Sequence, residues 1–176
     1  SGPVGISGDA DLARRFWGDG GYGFANGISA GSRQSTIVAW VDADDLRDQS
    51  VAGLAGSDEL FVTGGRFAFR HLDRTVVADV GPTPGAFRQE VGVWDGTTVQ
   101  IYVDGVLRGA SEAATGRSSG GGTFYVGFGT RAPWFVGVLD EVAYYDSALT
   151  PERVLQHFLA DPPPGAALQA SPRCRV

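Results

Sequence analysis

The chain of 176 residues contains no lysine and no methionine, only one cysteine, and only two histidines. Each shortage removes some chemistry. Without lysine there is no Schiff-base amine, no cofactor-bearing amine and no Walker-type lysine for phosphates. Internal Lys–Asn isopeptide cross-links are equally impossible. The single Cys174 cannot close an intrachain disulfide, and near the end of the chain it reads as a tail thiol. No apolar run is long enough for a transmembrane helix, and nothing has the layout of a signal peptide. The 14 basic residues, all arginine, are scattered against 20 acidic ones, for a net charge of −6. A phosphate-binding surface needs a basic stripe, so neither nucleic acid nor membrane insertion is expected. The missing methionine, with Ser1-Gly2 at the start, fits a processed or excised piece of something longer. The missing lysine, with abundant Ala, Gly, Val and Asp, fits codon use in a high-G+C genome, with halophilic adaptation as the second explanation.

What the chain has is glycine. Its 27 glycines and 9 prolines separate short apolar runs, the pattern of many strands joined by tight turns. Ser35 to Val41 is rich in β-branched and aromatic residues and reads as a strand. Phe61, Phe67 and Phe69 mark a strand pair broken at Gly64-Gly65, and Arg74 to Val80 is a further short strand. Phe87 to Trp94 and Thr97 to Val103 flank Asp95-Gly96, a strong hairpin signal that predicts a type I′ turn with positive φ at both positions. Asp104-Gly105 predicts a second reversal toward Val106 and Leu107. Thr123 to Phe128 and Val136 to Tyr145 complete the predicted strands. In the last of these, strict alternation puts Val138, Asp140, Val142 and Tyr144 on one face and Leu139, Ala143 and Tyr145 on the other. Apolar residues on both faces suggest a strand covered on both sides. One helix is predicted after Thr150, with Thr150 as cap, Pro151 at the first turn, and a stripe of Leu155, Phe158 and Leu159. The Arg117 to Gly122 run reads as a flexible loop. Asp161-Pro162-Pro163-Pro164-Gly165 reads as a stiff linker, so the expected division is a domain at 1–160 and a Pro-rich or disordered tail at 161–176.

Several segments resemble a known family. Phe135-Val136-Gly137-Val138-Leu139-Asp140-Glu141-Val142-Ala143-Tyr144-Tyr145 resembles the F-x-G-x-[IL]-D-E-V-x-x-Y signature of bacterial laminin-G-like domains. The following Asp146 to Glu152 resembles the family's N-R-A-L-S-x-E-E lead into a short helix. Asp95 to Val106 resembles its D-G-x-x-x-x-L-Y-V-D-G-V, and Ser35 to Val41 its T-I-S-A-W-V. Together they span about residues 10 to 160 in order. The resemblance implies an all-β, two-sheet antiparallel jelly-roll sandwich of the concanavalin A-like type, with one short C-terminal helix. Such domains serve as carbohydrate-binding modules, adhesin segments, accessory parts of secreted hydrolases, and virion or phage tail proteins. They often hold calcium near the strand corresponding to Asp140. Two places depart from the pattern. The family's early F-D-G is here Phe16-Trp17-Gly18, so an acidic partner is lost unless Asp19 replaces it. Its W-H-H-V-A is here Phe87-Arg88-Gln89-Glu90-Val91.

Asp140, with Asp19, is therefore the expected calcium site, since a hard cation wants six to eight oxygen ligands. The alternative is an aspartate paired with an arginine or with backbone N–H groups. A second acidic set, Asp42, Asp44, Asp45 and Asp48, lacks the glycine and terminal glutamate of an EF-hand loop and reads as a solvated loop. Trp40 and Trp94 read as core. Trp17, Tyr22 and Trp134 lie among glycines and a proline, where an aromatic face can stack on a sugar while its polar edge hydrogen-bonds. Against this stands the reading that they fold over the ends of the sandwich.

Enzyme readings fail on context. Gly27-Ile28-Ser29-Ala30-Gly31 matches G-x-S-x-G, but a strand follows where a nucleophile elbow needs a helix. Gly18 to Gly23 matches G-x-G-x-x-G, again with no helix after it to hold a pyrophosphate. Jelly-roll glycosidases place two carboxylates on one strand face about 5–5.5 Å apart, and no E-x-D-x-x-E pattern occurs here. The expectation is a non-catalytic carbohydrate-binding or adhesion module, extracellular, on a cell surface or in a virion, whose partner is a glycan or polysaccharide. The alternative is a structural module in contact with neighbouring proteins.

Overall fold

The computed structural model describes residues 4–5, 13–29, 33–112, 121–130 and 132–160. The expected tail at 161–176, with Cys174, and most of the Arg117 to Gly122 loop lie outside the described residues. In chain order the elements are β1 (Val4–Gly5), β2 (Arg14–Trp17), β3 (Gly23–Ser29), β4 (Ser35–Ala43), β5 (Gln49–Leu54), β6 (Asp58–Thr63) and β7 (Arg66–His71). They continue with β8 (Arg74–Val77), β9 (Arg88–Trp94), β10 (Thr98–Val103), β11 (Val106–Glu112), β12 (Gly121–Val126), β13 (Val136–Tyr145) and α1 (Pro151–Ala160).

The strands form two antiparallel sheets, a jelly-roll sandwich with one short helix. One runs β1-β13-β4-β9-β10-β11, with β2 also paired to β13; the other runs β3-β12-β5-β6-β7-β8. Their inner faces supply the core: Ile37, Ala39 and Val41 from β4, Leu60 and Val62 from β6, Phe67 and Phe69 from β7, Val99, Ile101 and Val103 from β10. Period-two alternation aims these residues inward and leaves the outer faces for other uses. The sheets approach closely at Gly92, where a Cβ would collide with the Phe69 ring.

α1 covers the outer face of the seven-stranded sheet. Thr150 Oγ1 accepts from the Arg153 N–H at 3.4 Å, and the Thr150 carbonyl accepts from Val154 N–H at 2.9 Å, so the predicted cap is in place. The buried stripe differs from expectation. Val154 packs on Val38, Val91, Val93 and Tyr102, and Phe158 lies 5.7 Å from Trp40, while Leu155 and Leu159 are exposed. Val154 and Phe158 are four residues apart and share the sheet-facing side; Leu155 and Leu159 sit one residue farther round the helix. Trp40 is thus buried under the helix, whereas Trp94 is buried between the sheets, stacked on His71 at 3.8 Å.

Two other local readings are corrected. Only Gly96 has positive φ in the Asp95-Gly96 turn, because the Asp95 carboxylate instead accepts from the N–H groups of Thr97 and Thr98. Of the two Asp-Gly turns, Asp104-Gly105 is the one with both φ positive, at 52° and 75°. In β13 the alternation breaks at a bulge: the register shifts between Asp140 and Ala143, and Glu141 adopts φ 45°. That extra residue puts Val142 and Tyr144 on the core face with Leu139, and leaves Asp140 on the other. Strands β2, β3, β5 and β11 lacked a readable pattern, and the G-x-S stretch Gly27 to Ser29 is simply part of β3.

Candidate aromatic binding face

The outer face of the six-stranded sheet carries a cluster of rings at its β3–β12 end. On β12, Phe124 and Val126 point into the core, so Tyr125 points out beside its cross-strand partner Phe24. Tyr22 immediately precedes β3. After β12, Gly127 takes φ 75°, and a Cβ there would collide with the Phe16 ring. The chain then swings over the sheet and returns, with Phe135 N–H donating to the Gly127 carbonyl at 3.1 Å. This segment delivers Phe128 and Trp134, stacked at 4.4 Å with planes 29° apart. Tyr22 is the hub. Its ring lies 6.1 Å from Phe24, 5.7 Å from Tyr125, 5.6 Å from Phe128 and 5.7 Å from Trp134. Phe24 is 56% exposed and Tyr22 43%.

The expected set of Trp17, Tyr22 and Trp134 is therefore divided. Tyr22 and Trp134 meet; Trp17 does not join them. On β2, Phe16 turns inward against Phe135, and Trp17 turns out, 68% exposed, under the Arg15 guanidinium 4.7 Å from its ring centroid. Phe24, Tyr125 and Phe128 were missing from the expectation. Phe24 and Tyr125 are brought together only by the pairing of β3 with β12, and Phe128, which reads in the sequence as the end of a strand, lies beyond β12.

Beneath the segment lies a buried polar network. Glu59, on β6, accepts from Ser50 Oγ at 2.8 Å through Oε1, and from Arg70 Nη2 at 3.0 Å and Thr130 Oγ1 at 3.1 Å through Oε2. Arg70 also donates to the Leu72 carbonyl at 3.0 Å. A small cavity of about 10 Å³, roomy enough for about one water, lies between Tyr125, Gly129, Thr130 and Glu59. Nearby, Asp58 meets His71 Nδ1 at 2.6 Å, and both are buried.

Asp19 and Asp140, the expected calcium pair, stand apart. Asp19 lies on the exposed loop before Tyr22 and accepts from the Gly21 N–H at 3.2 Å. Asp140 accepts from the Glu141 N–H at 2.9 Å within the bulge. Trp17 pairs with Val136, so Asp140 sits four residues, about 13 Å, farther along β13, and Asp19 continues in the opposite direction. Among the described residues no three His, Cys, Asp or Glu side chains are placed to share a metal ion. The second acidic set is divided among separate partners: Asp42 with Gly85 N–H, Asp44 with Arg15, Asp45 with Arg47, and Asp48 with Gly64 N–H. The Arg47 guanidinium holds the Asp45 carboxyl below its usual range. An acid-rich calcium site does not fit this donor arrangement.

A profile of the laminin G family, described as the concanavalin A-like lectin/glucanases superfamily, matches residues 18–155. The chain belongs to this superfamily. A search of curated protein sequences finds no match. Among solved structures, the fold of this superfamily member is similar to a native heptameric SAP-like pentraxin from Limulus polyphemus, at TM-score 0.64 and 16% identity, covering 78% of this chain and 75% of that one. It is similar to domain 4 of AbnA, an extracellular GH43 arabinanase from Geobacillus stearothermophilus in complex with arabinotriose, at TM-score 0.59 and 17% identity over 82% and 86% of the two chains. It is also similar to the CBM40 of a Ruminococcus gnavus IT-sialidase bound to α2,3-sialyllactose, at TM-score 0.64 and 12% identity over 83% and 96%. At these identities the likeness is one of fold.

Among the described residues, no helix is long and apolar enough to cross a membrane. A cavity of about 490 Å³ lined by Arg153, Gln156, His157, Leu159 and Ala160 lies on α1, separated from the rings by the thickness of the sandwich.

Proposed function

We propose that this domain is a non-catalytic carbohydrate-binding module, displayed outside the cell, whose ligand stacks on the ring cluster of Tyr22, Phe24, Tyr125, Phe128 and Trp134. The observation that carries the reading is that cluster: five aromatic side chains gathered from three chain segments on one outer face, with Tyr22 and Phe24 open to solvent. A sugar ring presents C–H groups to an aromatic face, and tyrosine and tryptophan add a polar edge for its hydroxyls. Two structures of similar fold were determined with arabinotriose and sialyllactose bound, which supports the same ligand class. The buried carboxylates beneath the ring-bearing segment are paired, Glu59 with Arg70 and Asp58 with His71, and this favours binding over acid–base chemistry. A net charge of −6 argues against a nucleic-acid partner.

The test is a glycan array on the domain, run in parallel with calcium and with chelator. Saturable binding that survives chelation is the expected result, since the reading assigns the metal no part in the face. Binding abolished by chelator would restore Asp140 and calcium to the site. Silence across the array would overturn the carbohydrate reading in favour of a protein contact on the same rings.

A further inference from the structure

We propose that Glu59 is the positioning residue of the ring platform. Its buried carboxylate clamps the segment formed by residues 128–130 and 132–134 onto the six-stranded sheet and so sets Phe128 and Trp134 against Tyr22. The purpose of the clamp rests on the binding reading above; its geometry does not.

Three elements converge on this one carboxylate: Ser50 from β5, Arg70 from β7 and Thr130 from the segment itself. Thr130 is held twice, donating to Glu59 and accepting from Arg70 Nη2 at 3.1 Å. Ser50 ties the same segment with its backbone, its N–H donating to the Pro133 carbonyl at 2.9 Å, and its hydroxyl lies 3.2 Å from the Ala132 carbonyl. Gln49, next along β5, accepts the Val136 N–H at 2.8 Å as the segment rejoins β13. Gly129 has no Cβ, and one would collide with Glu59 Oε1 and Ser50 Oγ, so the chain passes directly over the carboxylate.

Apolar packing does not hold this segment alone. Thr130 and Pro133 are exposed, and Phe128, Ala132 and Trp134 are only half-buried. A buried ion pair is also a poor source of stability, since well-packed apolar side chains of the same volume serve at least as well. What charge-assisted hydrogen bonds supply is direction, fixing where each donor sits. Direction is what the Phe128–Trp134 stack needs, because both rings hang from the ends of the clamped segment.

The test is amide hydrogen exchange and ring-to-ring NOE measurement on the full chain, with no ligand present. Three amides report on the clamp: Ser50, Phe135 and Val136, each bonded to the segment or at its end. Glu59→Gln and Thr130→Val are expected to speed their exchange at least tenfold and to weaken the NOEs between Phe128 and Trp134. Amides of β9 and β10 should keep their protection. Thr130→Ser, which retains the hydroxyl, should restore slow exchange. The proposal is overturned if Thr130→Val leaves these amides protected, if Thr130→Ser behaves like Thr130→Val, or if protection is lost uniformly across both sheets. Should Glu59→Gln fail to fold, the Thr130 pair decides alone. Because no glycan enters the measurement, a silent array and a failed clamp are separate outcomes.

Discussion

Glu90 shows how a polar residue can sit at odds with its surroundings. It projects from β9 into the space between the sheets, with Ala39 and Val103 as strand neighbours, and neither carboxyl oxygen has a hydrogen-bond partner of normal geometry. Burial pushes its carboxyl well above the usual range, and the Ala68 backbone N–H offsets only part of this. The sign of the pH effect follows. The unfolded chain releases the Glu90 proton in the ordinary carboxylate range, while the folded protein keeps it. Glu90 therefore lowers stability progressively as pH rises from that range toward its raised value. Glu90→Met, which keeps the length and removes both oxygens, is expected to stabilise the fold at pH 7 by roughly 1–3 kcal/mol. Its melting temperature should rise by about 2–4 °C per kcal/mol for a chain of this size. Thermal denaturation of both proteins at pH 5 and pH 8 checks this, and a variant less stable than the parent at pH 8 contradicts it.

The hairpins and the bulge show what local sequence carries and what it does not. Asp-Gly marks a reversal at both of its occurrences, yet the two turns differ. Asp104 accepts positive φ and gives the two-residue form; Asp95 spends its carboxylate on Thr97, Thr98 and Gln100. Burial alone would raise the Asp95 carboxyl, but these donors outweigh it and hold it below the usual range. Asp95→Ala should cost about 1 kcal/mol at pH 7. That difference should shrink as pH falls through the depressed folded value, because a lowered carboxyl contributes only while ionised. Urea denaturation at pH 7 and pH 3 measures it; a deficit that is the same at both would mean the carboxylate is not the cause. The bounds of β13 and α1 were legible because β-branched runs and a Thr-Pro-Glu start are local signals. The side-chain faces of β13 were not, since a single bulge residue inverts everything after it and leaves no mark in composition. Strands such as β3, with two glycines and an asparagine, carry no periodicity and exist because β12 offers them a partner. The ring face inherits that limit: Tyr22 and Trp134 stand out as loop aromatics, but Phe24, Tyr125 and the Glu59 network come together only through pairing of distant segments.

Across the whole molecule, the two sheets divide the work. The seven-stranded sheet carries α1 on its outer face, and the six-stranded sheet carries the ring cluster on its own, with Tyr22 and Phe24 open to solvent. The contact between the sheets is close enough that Gly92 must stay a glycine. Gly92→Ala drives a methyl into the Phe69 ring and should cost roughly 1–3 kcal/mol through overpacking, with the ligand face left intact if the variant folds. A melting temperature within 1–2 °C of the parent would show that the sheets yield more readily than their packing implies. The central claim concerns the other side of the second sheet, and it is tested most directly by comparing glycan-array binding of the parent with Trp134→Ala and Trp17→Ala. Trp134 stands in the ring cluster, so its removal should weaken binding at least tenfold, about 1.4 kcal/mol or more. Trp17 faces Arg15 outside the cluster, so its removal should change binding by less than about twofold, a few tenths of a kcal/mol. The opposite pattern, with Trp17→Ala abolishing binding and Trp134→Ala leaving it intact, would contradict the assignment of the binding face.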